Sequence, residues 1–257
     1  MRRLARPALP VLVCVGLLTA CGTRQDAAEG PRDPDAASRL RVAAAAEATG
    51  QSDIALSLYA AAASAEPANP EAQARFTRAL MRAGNLAEAE AVLDRARRRA
   101  PDNATLLELL GRLRLRAGAP EAALAPFDQV LAASPSHAGA LDGRGVALDM
   151  LGRHAEAQDS YRAALAASPA AIAPANNLGL SLLLSGRAEE ARAILMPLSR
   201  RPGAPPRVAT NLLLARAAAG ETEAQRQLLG DGATRAELEL LLRELGARGL
   251  ATGDAAP

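Results

Sequence analysis

The sequence has no Trp and no Lys, and only two each of Cys, His, Phe and Tyr. Each scarcity closes off some chemistry. His137 and His154 fall between helical stretches with no Cys nearby; a metal centre or a nucleophile–base–acid triad needs several groups to converge, so both His read as solvated turn residues. Tyr59, Phe76, Phe127 and Tyr161 all fall at apolar positions of the periodicity described below. No stacking platform for single-stranded nucleic acid and no cage for a cation is left over. Cys14 and Cys21 are confined to the start of the chain, so whatever follows has neither thiol nor disulfide and must be held by its core. No segment reads as a strand, and so no glycine-rich phosphate loop follows one. The missing Lys, taken with the abundant Ala, reads as codon bias.

The first 20 residues carry Arg2, Arg3 and Arg6, then an apolar run over residues 7–18, then Leu18, Thr19, Ala20 and Cys21. Basic, apolar and small-residue regions in that order make an export signal over residues 1–20, and the run is too short to read as a membrane-spanning helix. The last four residues resemble a bacterial lipobox. That resemblance implies acylation of Cys21, and Gly22 lacks the Asp that retains some lipoproteins at the inner membrane. The expectation is a lipid anchor on the periplasmic face of the outer membrane, made close to permanent by several acyl chains. Without the signal, 27 Arg face 28 Asp and Glu, so the basicity belongs to the signal. Residues 21–35 read as a flexible tether.

From residue 36 the chain repeats. Gly stands at 50, 84, 118, 152, 186 and 220, in steps of 34. Ala55, Ala89, Ala123, Ala157 and Ala191 follow the same step, with Gln225 as a sixth member. So do Pro67, Pro101, Pro135 and Pro169, with the fifth displaced to Pro202, and the large residues Tyr59, Leu93, Phe127, Tyr161, Leu195 and Leu229. Six units start at 36, 70, 104, 138, 172 and 206. Their eighth positions are Ala43, Thr77, Gly111, Gly145, Gly179 and Leu213.

Period and residue types together resemble the tetratricopeptide repeat (TPR) over about residues 36–229. The resemblance implies an all-α superhelical solenoid of five clear and one degenerate helix-turn-helix repeats. Position 4, often Trp in the family, is at best Leu107 or Leu141; the sixth unit also lacks the final Pro. Small position 8 is expected to face Ala at position 20 where two helices cross, with the large position 24 filling the adjacent gap and packing on the next unit. Gly supplies the positive φ that ends each first helix. Asn85 and Glu88 have capping-box spacing for a second helix, Asn69 and Pro70 restart a first helix, and the prolines stop second helices. Pro197 should kink or shorten its helix. The array is expected over 36–233. Residues 234–246 should form a capping helix, with Thr234 and Glu237 at its start and Leu238, Leu241, Leu242 and Leu245 on one face, and a disordered tail follows over 247–257.

The family binds protein partners in a concave groove lined by positions 2, 5, 6, 9, 12 and 13 of first helices. Carried over, the groove takes Arg75, Arg78, Arg82, Arg112 and Arg116, with Glu108 among them, from units two and three. Asp142 and Asp149 come from unit four, and Asn176, Asn177, Leu180, Leu183, Leu184, Asn211 and Leu214 from units five and six. Asn177 and Asn211 share position 6; they either hold a partner's backbone or bond neighbouring helices and stiffen the array. The near-neutral exported domain is no candidate for nucleic acid. No catalytic residue and no cofactor are expected. The runs Asn176-Asn177-Leu178-Gly179 and Pro206-Arg207-Val208-Ala209-Thr210-Asn211-Leu212 are similar to those of TadD-type lipoproteins of tight-adherence (Flp) pili. That likeness implies a scaffold for pilus or secretin assembly; an adapter for cell-wall enzymes is the alternative.

Overall fold

A computed structural model describes residues 35–230, together with Ala236, Glu237, Leu240 and Leu242. The export signal, Cys21, the tether up to residue 34, Thr234, Leu238, Leu241, Leu245 and the tail lie outside the described residues. Twelve helices succeed one another in the described array: α1 (Ala36–Ala48), α2 (Ser52–Ala65), α3 (Pro70–Arg82), α4 (Leu86–Arg99), α5 (Ala104–Arg116), α6 (Pro120–Ala133), α7 (Ala138–Met150), α8 (His154–Ala167), α9 (Ile172–Leu184), α10 (Ala188–Ser199), α11 (Pro206–Ala218) and α12 (Thr222–Leu229). Each sequence unit is one odd and one even helix. Every helix packs on the next, and each odd helix also touches the following odd helix, which makes the odd helices one continuous layer. Among the described residues no helix is long and apolar enough to cross a membrane.

Local chemistry sets the breaks. Gly50, Gly84, Gly118, Gly152, Gly186 and Gly220 all have φ between 70° and 94°. At Gly84 the amide bonds Met81 O at 3.2 Å and the next amide, Asn85, reaches back to Leu80 O at 2.9 Å, closing α3 in a Schellman motif. This corrects the capping-box expectation: Asn85 makes no side-chain cap bond, because its backbone (φ −81°, ψ 59°) is committed to closing the helix before it. The first four odd helices are capped by side chains instead, whereas α9 and α11 follow Ala171 and Pro205 and have no such cap. Asp35 accepts from Ser38 N at 2.7 Å, Asn69 from Glu71 N and Ala72 N, Asn103 from Leu106 N, and His137 Nδ1 from Ala140 N at 3.2 Å.

Pro197 sits inside α10, which runs on to Ser199 and has 12 residues where α2, α4, α6 and α8 have 14. The connector that follows has six residues where the other connectors between described units have four, so α11 still starts 34 residues after α9.

Packing explains the small residues. A Cβ on Gly145 would stand 2.5 Å from the Tyr161 ring, and one on Gly111 2.4 Å from Phe127; at Gly179 the neighbour is Leu195 at 2.6 Å. Position 8 is therefore small at these units to admit position 24 of its own unit. Phe127 is also closed from the other side, since a Cβ on Gly143 of the next unit would lie 2.3 Å away. That second contact joins units, as expected of position 24. The buried residues form successive clusters along the array: Leu56 and Phe76 are shared between the first two, and α5 contributes to the second and third, Leu106 and Leu109 to one and Leu107 and Leu115 to the other. Leu242 packs against the last of this core and Leu240 is exposed.

Candidate functional site: the inner layer of first helices

The odd helices bring the groove candidates into one layer, yet treat them in two ways. On α3 and α5 the guanidiniums are half-buried or exposed. Arg75 donates from Nε and Nη2 to Glu71 Oε1 at 3.0 and 2.8 Å, and Arg112 Nε to Glu108 Oε1 at 3.0 Å. Arg82 pairs with Glu47 of the preceding unit, and Arg116 Nη1 donates to Met81 O at 2.6 Å. Arg78 is exposed and has no hydrogen-bond or ion-pair partner among the described residues. The groove walls thin the water around it, and Arg112, Arg75 and Arg82 crowd it; both effects lower its pKa, against the opposing pull of Glu108. A cleft of about 300 Å³ opens between Arg78, Arg82, Arg112 and Arg116, with Met81, Glu108 and Leu109 in its lining.

On α7, α9 and α11 the polar candidates bond to one another. Asn211 Nδ2 donates to Asn176 Oδ1 at 3.0 Å, Asn176 Nδ2 to Asn177 Oδ1 at 3.4 Å, and Asn177 Nδ2 to Asp142 Oδ1 at 2.9 Å. The chain of amides ties three successive units, with Asn176, Asp142 and Asn211 only 2%, 7% and 9% exposed. Of the two readings of Asn177 and Asn211, the bonds between neighbouring helices are the ones present. Burial raises the Asp142 pKa, opposed by the Arg112 charge and the Asn177 bond. Leu180, Leu183 and Leu214 are core residues, and Leu184 is half-buried.

Asp149 is 3% exposed and already surrounded. Tyr161 OH donates to Oδ2 at 3.0 Å and Ser181 Oγ to Oδ1 at 2.7 Å, while His154 Nδ1 lies 2.8 Å from Oδ1. Burial raises its pKa against these three partners. Burial, and next the Asp149 charge, lift the Tyr161 hydroxyl well above the ordinary tyrosine range. The two His are thus not solvated turn residues: His137 caps α7 and stands 3.9 Å from Glu108, and His154 backs Asp149. Ser, His and Asp meet here in the wrong order for catalysis. The carboxylate touches both partners, where a triad has the imidazole in the middle, and Ser181 is fully buried. Among the described residues no group of three or more His, Cys, Asp or Glu could hold a metal ion.

A pairing not anticipated in the sequence explains Asp149. Tyr161 occupies position 24 and Asp149 position 12 of one unit, and Tyr59 OH donates in the same way to Glu47 Oε2 at 2.9 Å. Where position 24 is Leu93, Phe127 or Leu195, position 12 is Met81, Leu115 or Leu183. A buried phenol needs an acceptor and a buried hydrocarbon does not.

Comparison with known proteins agrees with this geometry. Tetratricopeptide-repeat family models match residues 46–113, 108–172 and 143–205. None of the curated proteins matches the chain. A thermophilic TPR protein of Thermus thermophilus is 25% identical with a TM-score of 0.62, over 69% of this chain and 99% of that one. PilF of Pseudomonas aeruginosa is 13% identical with a TM-score of 0.61, over 81% and 96%. PilW, a type IV pilus biogenesis factor, is 19% identical with a TM-score of 0.62, over 80% and 98%. The repeat register, the paired helices and the family matches together place this chain among the tetratricopeptide-repeat proteins.

Proposed function

We propose that this TPR protein is a lipid-anchored scaffold, without catalytic chemistry of its own, that assists assembly of a tight-adherence (Flp) type pilus or secretion apparatus at the outer membrane, with a secretin or similar component held in its groove. The observation that carries the reading is the run from Asn176 to Leu212, in which a shortened second helix enters a Pro/Gly connector before Pro206-Arg207-Val208 and Asn211-Leu212. The Leu18-Thr19-Ala20-Cys21 sequence supports the anchor. Two proteins with pilus titles, PilF and PilW, share the fold, a likeness that bears on fold alone.

Two measurements test it. Cys21→Ser should abolish labelling by radioactive palmitate and release the protein from membranes; a wild type that takes up no label overturns the anchor. A photo-crosslinking residue at position 78 should capture a pilus or secretin component in cells, and one at exposed Arg98 on α4 should not. Capture of cell-wall enzymes instead overturns the pilus assignment, and capture from position 98 alone overturns the groove.

A further inference from the structure

We infer that the cleft between α3 and α5 binds a short acidic segment of the partner, an inference that rests on the scaffold reading above. Arg75, Arg78, Arg82, Arg112 and Arg116 gather five guanidiniums, and Glu47, Glu71 and Glu108 supply three carboxylates. Arg78 has no hydrogen-bond or ion-pair partner of its own among the described residues and has three other cations around it. A carboxylate entering the cleft would accept the fork of donors that Arg78 presents and relieve that repulsion, a geometry guanidinium matches in two parallel bonds.

The dimensions fit a peptide. Arg75 and Arg82 are seven residues apart on one helix, a rise of about 10 Å. An extended strand covers that distance in about three residues, so two or three Asp or Glu within a short run would reach the cluster. Met81 and Leu109 close the floor of the cleft and are almost wholly buried, so the charged rim is what a partner meets. Nucleic acid fits less well. The cleft lining holds no aromatic ring for a base, and Glu108 stands in the path of a continuous phosphate backbone. The other dense basic run, Arg97-Arg98-Arg99, ends α4, where cations offset the helix dipole.

The test uses the purified full-length chain and fluorescein-labelled hexaglutamate, read by fluorescence anisotropy at about 50 mM salt, where exposed charges are weakly screened. Binding should weaken by roughly tenfold or more in Arg78→Glu, where reversal turns attraction for the carboxylates into repulsion, and by less than about twofold in Arg98→Glu. Equal losses in the two variants, no binding by the wild type, or displacement by oligo-dT at lower concentration than by unlabelled hexaglutamate would each overturn the inference. Circular dichroism shows whether both variants keep their helices; Arg78→Ala, which adds no charge, repeats the test if Arg78→Glu does not. A partner captured from position 78 in cells whose noncovalent binding to the purified chain hexaglutamate does not compete would leave the scaffold standing and remove the acidic segment.

Discussion

Units two and three and units four to six are built on the same positions and use them oppositely. Positions 9 and 13 are Arg78 and Arg82, then Arg112 and Arg116, and from the fourth unit onward Val146 and Met150, Leu180 and Leu184, Leu214 and Ala218. The first set lines a cleft; Val146, Leu180 and Leu214 of the second are 8%, 9% and 3% exposed. Polar groups divide in the same way, solvated ion pairs in one half and a buried amide ladder in the other. A repeat fixes where a side chain stands, and its chemistry then decides whether that place is surface or core.

The sharpest way to break this contrast is inside the buried half. Asp149→Leu strips acceptors from Tyr161 and Ser181, and should cost about 2–4 kcal/mol in urea denaturation. Adding Tyr161→Phe, which restores the apolar pairing of units three and five, should return part of that loss; a strictly additive double variant would refute the position 12–24 coupling. Gly145→Ala drives a methyl into the Tyr161 ring and should cost about 1–3 kcal/mol, against nearly no change for Arg153→Leu at an exposed site. Equal midpoints would unseat the register.

Asn177→Ala combined with Asn211→Ala should lower stability by about 1–2 kcal/mol by cutting the amide ladder. Unchanged stability with lost partner capture would move both residues to the binding surface. A smaller effect comes from pH. Burial raises the folded pKa of Asp142 and Asp149 above the unfolded value, so the folded state holds these protons longer. Their contribution is fully present below the unfolded pKa, about 4, and is lost as pH rises through the raised folded values. Relative to wild type, Asp142→Asn should therefore flatten the decline of the urea midpoint above pH 4; a steeper decline would contradict the burial. Smallest of all, Arg78→Ala should leave stability within about 0.5 kcal/mol in thermal melts, since the side chain has no described partner to lose.

Much of the fold was legible in the chain as written. The 34-residue step placed every helix-ending Gly at positive φ and located the end of each unit. Two further series were there to be read. Asp35, Asn69, Asn103 and His137 stand at the same step and all cap first helices, and the polarity of position 12 follows that of position 24. What periodicity could not supply was direction across units. Asn177 and Asn211 look alike at position 6, and only the rotation of the neighbouring helix decides that their amides meet position 5 of the preceding unit. Nor does spacing say that the glycine at position 8 makes room for position 24 of its own unit, Tyr161 in the case of Gly145.

The shortened α10 and its longer connector exchange two residues while leaving the 34-residue pitch intact. The array thus keeps phase by total residue number per unit, and the division between rod and bridge is free to drift at this joint. An extra residue among 200–205 could be taken up as loop. The same residue added within α3, ahead of Thr77, would turn the rest of that helix by about 100° and swing Leu80 off the core. The stretch before the last repeat is where such a solenoid can change length without changing handedness or register.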